Sequence, residues 1–506
     1  MGERMYRKKF KRTLTSTKKV LTAFLKSKRA TIGLGIILFF CIIAVASPLL
    51  TSYDPTQSKY LSGTRAVPIW MRYLPGGEKL SENLFPAKDP KFKNPNIKQN
   101  WNLATSSPYI TFEYVAGIGD GSLGVIFSRK STQTPQTSEA KITINFNYPY
   151  KGPPDRFEAN VKVFVEDASG VPIQPTFFIV DETHNKIYTW GFGSGWKDEN
   201  ITSTATQAIT PFPPIHSAAE LSYRRERFGT EQDLSSLIFP ETANYTFGLN
   251  IVFWDNPSLA GKNLKAIVYV DTMELKLYGT AFGLLGTTWE GADVFTQLIY
   301  GARISLIVGL LASVISVLIG LIVGLVSGFL GGVIDEALMR INDALLVLPG
   351  LPLLIVLIAV LGARLHVIIL VLGFLGWMGF ARVVRSQVLS LKERPFIEAA
   401  KAVGAGTGHI IFKHVVPNVM GLVYVTLATS VPGAIVGEAA LSWLGYYDPY
   451  VVSWGRMLNE VQMHNGYTCW WWIIPPGLCI AALSIAFVLL GYALDEILNP
   501  RLRVRR

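Results

Sequence analysis

Charge is the scarcest ingredient of this chain. Only 16% of its 506 residues are Asp, Glu, Lys or Arg, half are apolar, and the mean hydropathy is positive. Such a composition reads as a membrane protein with a polar portion attached. Cysteine is nearly absent as well. Cys41, Cys469 and Cys479 are the full set, the first and last inside apolar runs, so no disulfide framework is implied and the polar portion has to fold on its own core. The six histidines make no HExxH or similar spacing, which leaves no expected metal site. No G-x-x-x-x-G-K followed by Ser or Thr occurs, the glycines from Gly404 to Gly408 lack the lysine of a phosphate loop, and there is no nucleophile elbow. The expected chain is not an enzyme and holds no cofactor of its own.

What charge there is sits unevenly. Residues 1–31 hold eleven basic side chains against Glu3 alone. A nucleic-acid arm would look similar, but an apolar run follows at once, so the arm is expected beside anionic lipid on the cytoplasmic side, with no nucleic-acid partner. Ile32 to Leu50 is apolar apart from glycines and Ser47. About nineteen residues at ~1.5 Å each roughly match a ~30 Å hydrocarbon core. The run is too long for a cleaved signal and is expected to stay as an anchor.

From Ser52 to about Phe282 the chain turns polar, with 22 basic and 23 acidic residues and no net electrostatic preference. Alternating runs predict strands at Lys141–Asn147, Asn160–Val165, Thr176–Val180, Lys186–Trp190, Tyr245–Trp254 and Leu264–Tyr278, and a β-sandwich is the expected fold. Asn200 and Asn244 each open a glycosylation sequon on this outer side.

Apolar runs resume at Ile304–Val326, Ala344–Leu361, Val367–Val384, Val419–Glu438 and Trp470–Tyr492, for six spans in all. Gly320, Gly324 and Gly328 repeat every four residues, a face on which another helix can pack with backbone contact, in this chain or in a partner. Glu438 is an ionisable group near the end of a span and is a pathway candidate, with a helix-end hydrogen bond as the plainer role. Asp335, Glu336 and Asp343 are expected at a cytoplasmic turn, as caps or partner contacts.

Between two apolar runs lies the charged segment Glu393–Pro417, ERPFIEAAKAVGAGTGHIIFKHVVP. Pro395 suits a helix N1 position, and Phe396, Ala399, Ala400 and Val403 recur at i, i+3, i+4, i+7, with Glu398 and Lys401 off that stripe. Gly404, Gly406 and Gly408 should break the helix, and a second one should run from an N-cap at Thr407 to just before Pro417.

The order Glu398-Ala399-Ala400, Gly404, Pro417 resembles the EAA loop of ABC-importer permeases, with Val416 where many members have Leu. Pro48–Pro55, Leu285–Leu306, Glu438–Glu460 and Trp470–Arg503 are similar to the second, C-type permease of the dipeptide/oligopeptide family. The resemblance implies an α-helical six-span permease of the type I importer fold, carrying here an inserted extracytoplasmic, mainly-β sandwich-like domain that typical relatives lack.

The organisation it implies is a basic cytoplasmic arm (1–31), a first transmembrane helix (32–51), the extracytoplasmic β insert (52–282), a permease core (283–494) with the coupling loop (393–417), and a cytoplasmic tail (495–506). It also implies a plasma-membrane importer of dipeptides or oligopeptides. Its partners would be a homologous second permease, two ATPases that bind the ATP and Mg, and an external binding protein. Carried over by position, Glu398, Ala399, Ala400 and Gly404 would be the ATPase-coupling contacts, with Phe396 and Val403 of the stripe beside them. The insert has no counterpart in the resemblance, and its outer position points to a collar that receives the binding protein or covers the pathway mouth. Oligosaccharide import by the same machinery is the alternative, and a membrane-anchored receptor a more distant one.

Overall fold

The computed structural model describes residues 27–116, 120–131, 136–167, 170–191, 207–209, 215–216, 232–255, 258 and 260–498. Most of the basic arm, Asn200 and the arginine-rich tail lie outside them. The chain divides into a helical unit, Met1–Lys59 with Asp293–Arg506, and a β unit, Tyr60–Ala292.

The helical unit contains α1 (Lys28–Leu50), α2 (Val294–Leu330), α3 (Gly332–Val347), α4 (Gly350–Leu361), α5 (Leu365–Leu375), α6 (Met378–Lys392), α7 (Pro395–Ala402), α8 (Thr407–Ile410), α9 (Val416–Trp443), α10 (Trp454–Met463) and α11 (Trp470–Leu498). Among the described residues five stretches are long and apolar enough to cross a membrane, and the bent pair α3–α4 makes a sixth if counted as one span. At 37 residues α2 is ~55 Å long at 1.5 Å per residue, well beyond a ~30 Å apolar slab. Its N-cap is Asp293, whose carboxylate accepts from the amide (2.9 Å) and hydroxyl (2.6 Å) of Thr296.

Three expectations need correction here. The run Ala344–Leu361 is not one helix, because α3 and α4 meet at 92° across Leu348-Pro349. Proline removes an amide from the ladder and disfavours helix in the residue before it, and Leu348 is extended. Asp335, Glu336 and Asp343 consequently stand on a helix, not at a turn. The helix expected from Thr407 to before Pro417 is capped by Gly406 rather than by Thr407 and does not stop. It passes through a π-helical turn, Ile411–Val415, into α9, so that Pro417 enters where the ladder is already widened.

The β unit is a sandwich of two antiparallel sheets around one core. The first has the order β1 (Asn102–Thr105), β4 (Thr137–Tyr148), β10 (Ala243–Trp254), β6 (Ile173–Asp181), β7 (Lys186–Gly191). The second runs β2 (Ile110–Val115), β3 (Ser122–Lys130), β11 (Asn263–Tyr278), β5 (Arg156–Asp167), β8 (Gln207–Ile209), with β9 (Ile215–His216) also on β5. All six strands predicted from alternation fall inside observed strands.

Alternation puts Tyr245, Phe247, Leu249, Ile251 and Phe253 of β10 into the core. In β11 the buried set changes parity, from Leu264, Ala266, Val268 and Val270 to Met273, Leu275 and Leu277. A register shift between Val270 and Thr272 inserts one residue there, so β5 keeps Phe157, Ala159, Val161, Val163 and Val165 inward on both sides of it. The phenols of Tyr148 and Tyr245 donate to the carbonyls of Gly152 (2.7 Å) and Ile238 (2.9 Å), and burial pushes both above the ordinary tyrosine pKa. Asn244 is exposed near the start of β10, its side-chain carbonyl accepting from Asn147 Nδ2 at 3.0 Å.

Candidate functional site

The segment between α6 and α9 is built around a residue that the stripe argument passes over. Ile397 is fully buried, in a cluster with Phe329 of α2, Val384, Val388 and Leu391 of α6, Ile410 of α8, and Val415 and Val419. Ala400, one turn on, packs against the same cluster. Burying Ile397 rotates α7 so that Phe396, Glu398, Ala399, Lys401 and Val403 face away from the chain's own core. Val403 is 89% exposed and Phe396 43%. The expected stripe is therefore divided: Ala400 serves the internal packing, and Phe396, Ala399 and Val403 are presented outward. Phe412 is 77% exposed, and the rings of Phe396 and His409 stand 6.3 and 6.2 Å from that of His414.

Both ends of α7 are well defined. Pro395 is at the start, where a missing amide costs nothing, and the amide of Ile397 donates to the carbonyl of Arg394 at 2.9 Å. At the far end the amides of Gly404 and Ala405 donate to the carbonyls of Lys401 (2.9 Å) and Ala400 (3.0 Å), a Schellman closure. Gly404 has φ +85° and open space where a Cβ would lie, so the demand for glycine is conformational and not steric. Gly404→Ala should cost about 1 kcal/mol from the left-handed backbone alone. It should expose the 393–417 segment to faster limited proteolysis, whereas Gly408→Ala, in a helix with open space around it, should not.

Behind this segment the glycine row packs inside the chain. A Cβ on Gly320 would stand 2.9 Å from the Trp377 carbonyl oxygen, on Gly324 2.6 Å from Val384 Cβ, and on Gly328 2.9 Å from the Arg385 carbonyl oxygen. The row thus seats α2 on α6. Against α6 also lies α3, through Asp335 to Arg385 (two bonds of 2.6 Å) and Asp343 to Arg382.

Glu438 sits at the other end of α9 and is buried. Its Oε1 accepts from the hydroxyls of Ser442 (2.7 Å) and Ser453 (2.6 Å). Ser453 is the N-cap of α10, accepting from the Arg456 amide at 3.1 Å, and Asn459 of α10 donates to the Trp443 carbonyl at 2.7 Å. Trp454 follows, its indole N–H on the Leu298 carbonyl (2.9 Å) and its ring 5.3 Å from that of Phe40. The carboxylate pins α10 onto the junction of α1, α2 and α9.

The helical unit is thus a multi-pass bundle with a short amphipathic helix anchored on its core by Ile397. Residues 316–504 match the binding-protein-dependent transport system inner membrane component, and residues 15–68 the N-terminal transmembrane domain of oligopeptide transport permease C. The dipeptide transport system permease protein DppC of Bacillus subtilis is 41% identical over 242 residues, 47% of this chain and 75% of that protein. The oligopeptide transport system permease protein OppC of Escherichia coli is 39% identical over 218 residues, 43% of this chain and 72% of that protein. A chain of the MetNI methionine ABC transporter, inward-facing, aligns at 20% identity over 42% of this chain and 97% of that chain with a TM-score of 0.33, too low to add to the assignment.

The chain belongs to the binding-protein-dependent transport permeases, in their dipeptide/oligopeptide branch. Residues 69–315 lie between the two matched stretches and contain nearly all of the β unit.

Proposed function

We propose that this chain forms half of an ATP-driven import pathway for short peptides, and that α7 is the helix through which partner ATPases drive it. One observation carries the proposal. An internal anchor, Ile397 with Ala400 one turn on, fixes α7 while its opposite face presents Phe396, Glu398, Ala399 and Val403 to a partner. Helix-in-groove docking needs that combination of a rigid rear and a free amphipathic front. Two ATPases would hold the ATP and Mg, a homologous permease would supply the other half of the pathway, and a binding protein would bring the solute.

The basic arm and the arginines and lysines around α7 support a cytoplasmic side for both, with the β unit outside, where solute would arrive. The peptide class follows from the names of the relatives. Glu438 enters as the clasp between α9 and α10 and not as a pathway lining, because it is buried and already accepts two serine hydroxyls.

The test is uptake of labelled di- to pentapeptides by cells with and without the gene. Loss on deletion and recovery on re-expression is the expected result. Unchanged peptide uptake with loss of oligosaccharide uptake would move the substrate class.

A further inference from the structure

Two kinds of contact surround α6. On one flank the glycine row brings α2 against its backbone, and at its end Val384, Val388 and Leu391 share a buried cluster with Ile397. Those contacts are close-packed, so α2, α6 and α7 move as one body unless the core opens. On another flank α3 is attached mainly by polar groups. The Asp335 carboxylate takes Nε and Nη2 of Arg385 at 2.6 Å each, together with the Ser327 hydroxyl of α2. Asn342 is fully buried, and in the amide orientation that satisfies it donates to the Met378 carbonyl at 3.0 Å and accepts from Arg382 Nε at 3.1 Å. Asp343 pairs with Arg382, and Leu345 adds an apolar contact beside Trp377. The Asp335–Arg385 pair is partly shielded, with side-chain exposures of 15% and 34%. Five residues past Asn342 the helix ends, and the chain turns by 92° into α4.

We propose that the Asp335–Arg385 pair, with Asn342 and Asp343–Arg382 behind it, is the linkage that makes α3 follow α7, so that a stroke delivered to the docking helix reaches the elbow at Pro349 and moves α4. Arg385 acts as a positioning residue. A two-pronged guanidinium–carboxylate pair fixes orientation as well as distance, which a single ammonium contact would not. The elbow supplies the other requirement, since a broken ladder absorbs rotation that a continuous helix would resist. The inference rests on α7 being the ATPase-docking helix and adds the route taken by the motion.

The experiment uses the assembled transporter in lipid, with Cys41, Cys469 and Cys479 replaced by alanine and spin labels at Glu336 on α3 and Gln387 on α6, the helix that carries α7, both exposed and off the docking face. Pulsed electron spin resonance is recorded without nucleotide and after trapping with ATP and vanadate. In the otherwise unaltered chain the two labels should keep one separation in both states. Arg385→Ala should keep it without nucleotide and develop a second, longer population on trapping, and the exchange Asp335→Arg with Arg385→Asp should restore the single separation. A single separation in trapped Arg385→Ala would overturn the linkage, and so would a change on trapping in the unaltered chain. Failure of the ATPases to co-purify with the unaltered chain would instead remove the docking role of α7 and the linkage with it, a result read from the same sample before any spectrum is taken.

Discussion

Ala399→Trp should abolish ATP-driven uptake while the chain still reaches the membrane in normal amount. Ala399 is exposed on the outward face of α7, so an indole there meets nothing of this chain's own core. Exposed substitutions of this kind usually change stability by no more than about 0.5 kcal/mol. In a docked complex the same indole would occupy the place of the ATPase groove. Losing a well-packed anchor contact costs ~2 kcal/mol or more, and each 1.4 kcal/mol is a factor of ten, so uptake should fall by more than about tenfold. Glu398→Arg should act in the same direction through reversed charge. Ala400→Trp is a poorer probe, because Ala400 packs on the internal cluster and its replacement would also disturb folding. Uptake at normal membrane abundance distinguishes the cases, and an Ala399→Trp chain that transports at the normal rate would contradict the docking face.

Gly324→Val should instead remove the folded chain from the membrane. The first added carbon would lie 2.6 Å from Val384 Cβ and 2.7 Å from the Ala381 carbonyl oxygen. A backbone oxygen has no rotamer to change, so α2 and α6 must separate, and the contacts at Gly320 and Gly328 loosen with them. Overpacking by a few carbons costs about 1–3 kcal/mol where neighbours can adjust, and more where they cannot. Most of the chain should therefore be lost from the monodisperse peak in detergent chromatography, with Gly324→Ala intermediate. Gly379→Ala is the control. It lies on exposed α6 surface with nothing within 4 Å of a new Cβ, and it should be neutral or slightly stabilising. Equal recovery of Gly324→Val and the control would show that the glycine row is not a seat for α6.

These two positions also mark how far the sequence could be read. Apolar runs located the membrane helices but not all of their ends, α2 beginning at Val294 and not at Ile304, because burial in lipid constrains composition over some twenty positions at once and leaves the flanking turns free. The elbow between α3 and α4 was half legible: Pro349 and Pro352 mark an interruption of the run, but hydropathy does not tell an interrupted span from a chain that turns by 92°. Alternation found the long strands of the sandwich, whose inward residues are large. It passed over β1 and β2, which are short edge strands with mixed faces, and β3, where Leu123, Val125 and Phe127 alternate but Ser122 and Gly124 on the other face are buried too.

At the site, residue identity in the EAA order marked α7, and periodicity put one member of its stripe, Ala400, on the wrong side. Phe396, Ala399 and Val403 do lie outward, while Ile397, off the stripe, is the anchor. A one-dimensional period says which residues share a face and not which face is turned inward. That depends on Val384, Val388, Ile410 and Val415, brought together only by the fold.

The account depends most on α7 being the ATPase contact, and co-purification tests it directly. The tagged chain, taken from native membrane in mild detergent, should bring a second permease and ATPase subunits identifiable by mass spectrometry. The Ala399→Trp chain should bring the permease without the ATPases. Recovery of no ATPase with the unaltered chain, or undiminished recovery with Ala399→Trp, would contradict the account.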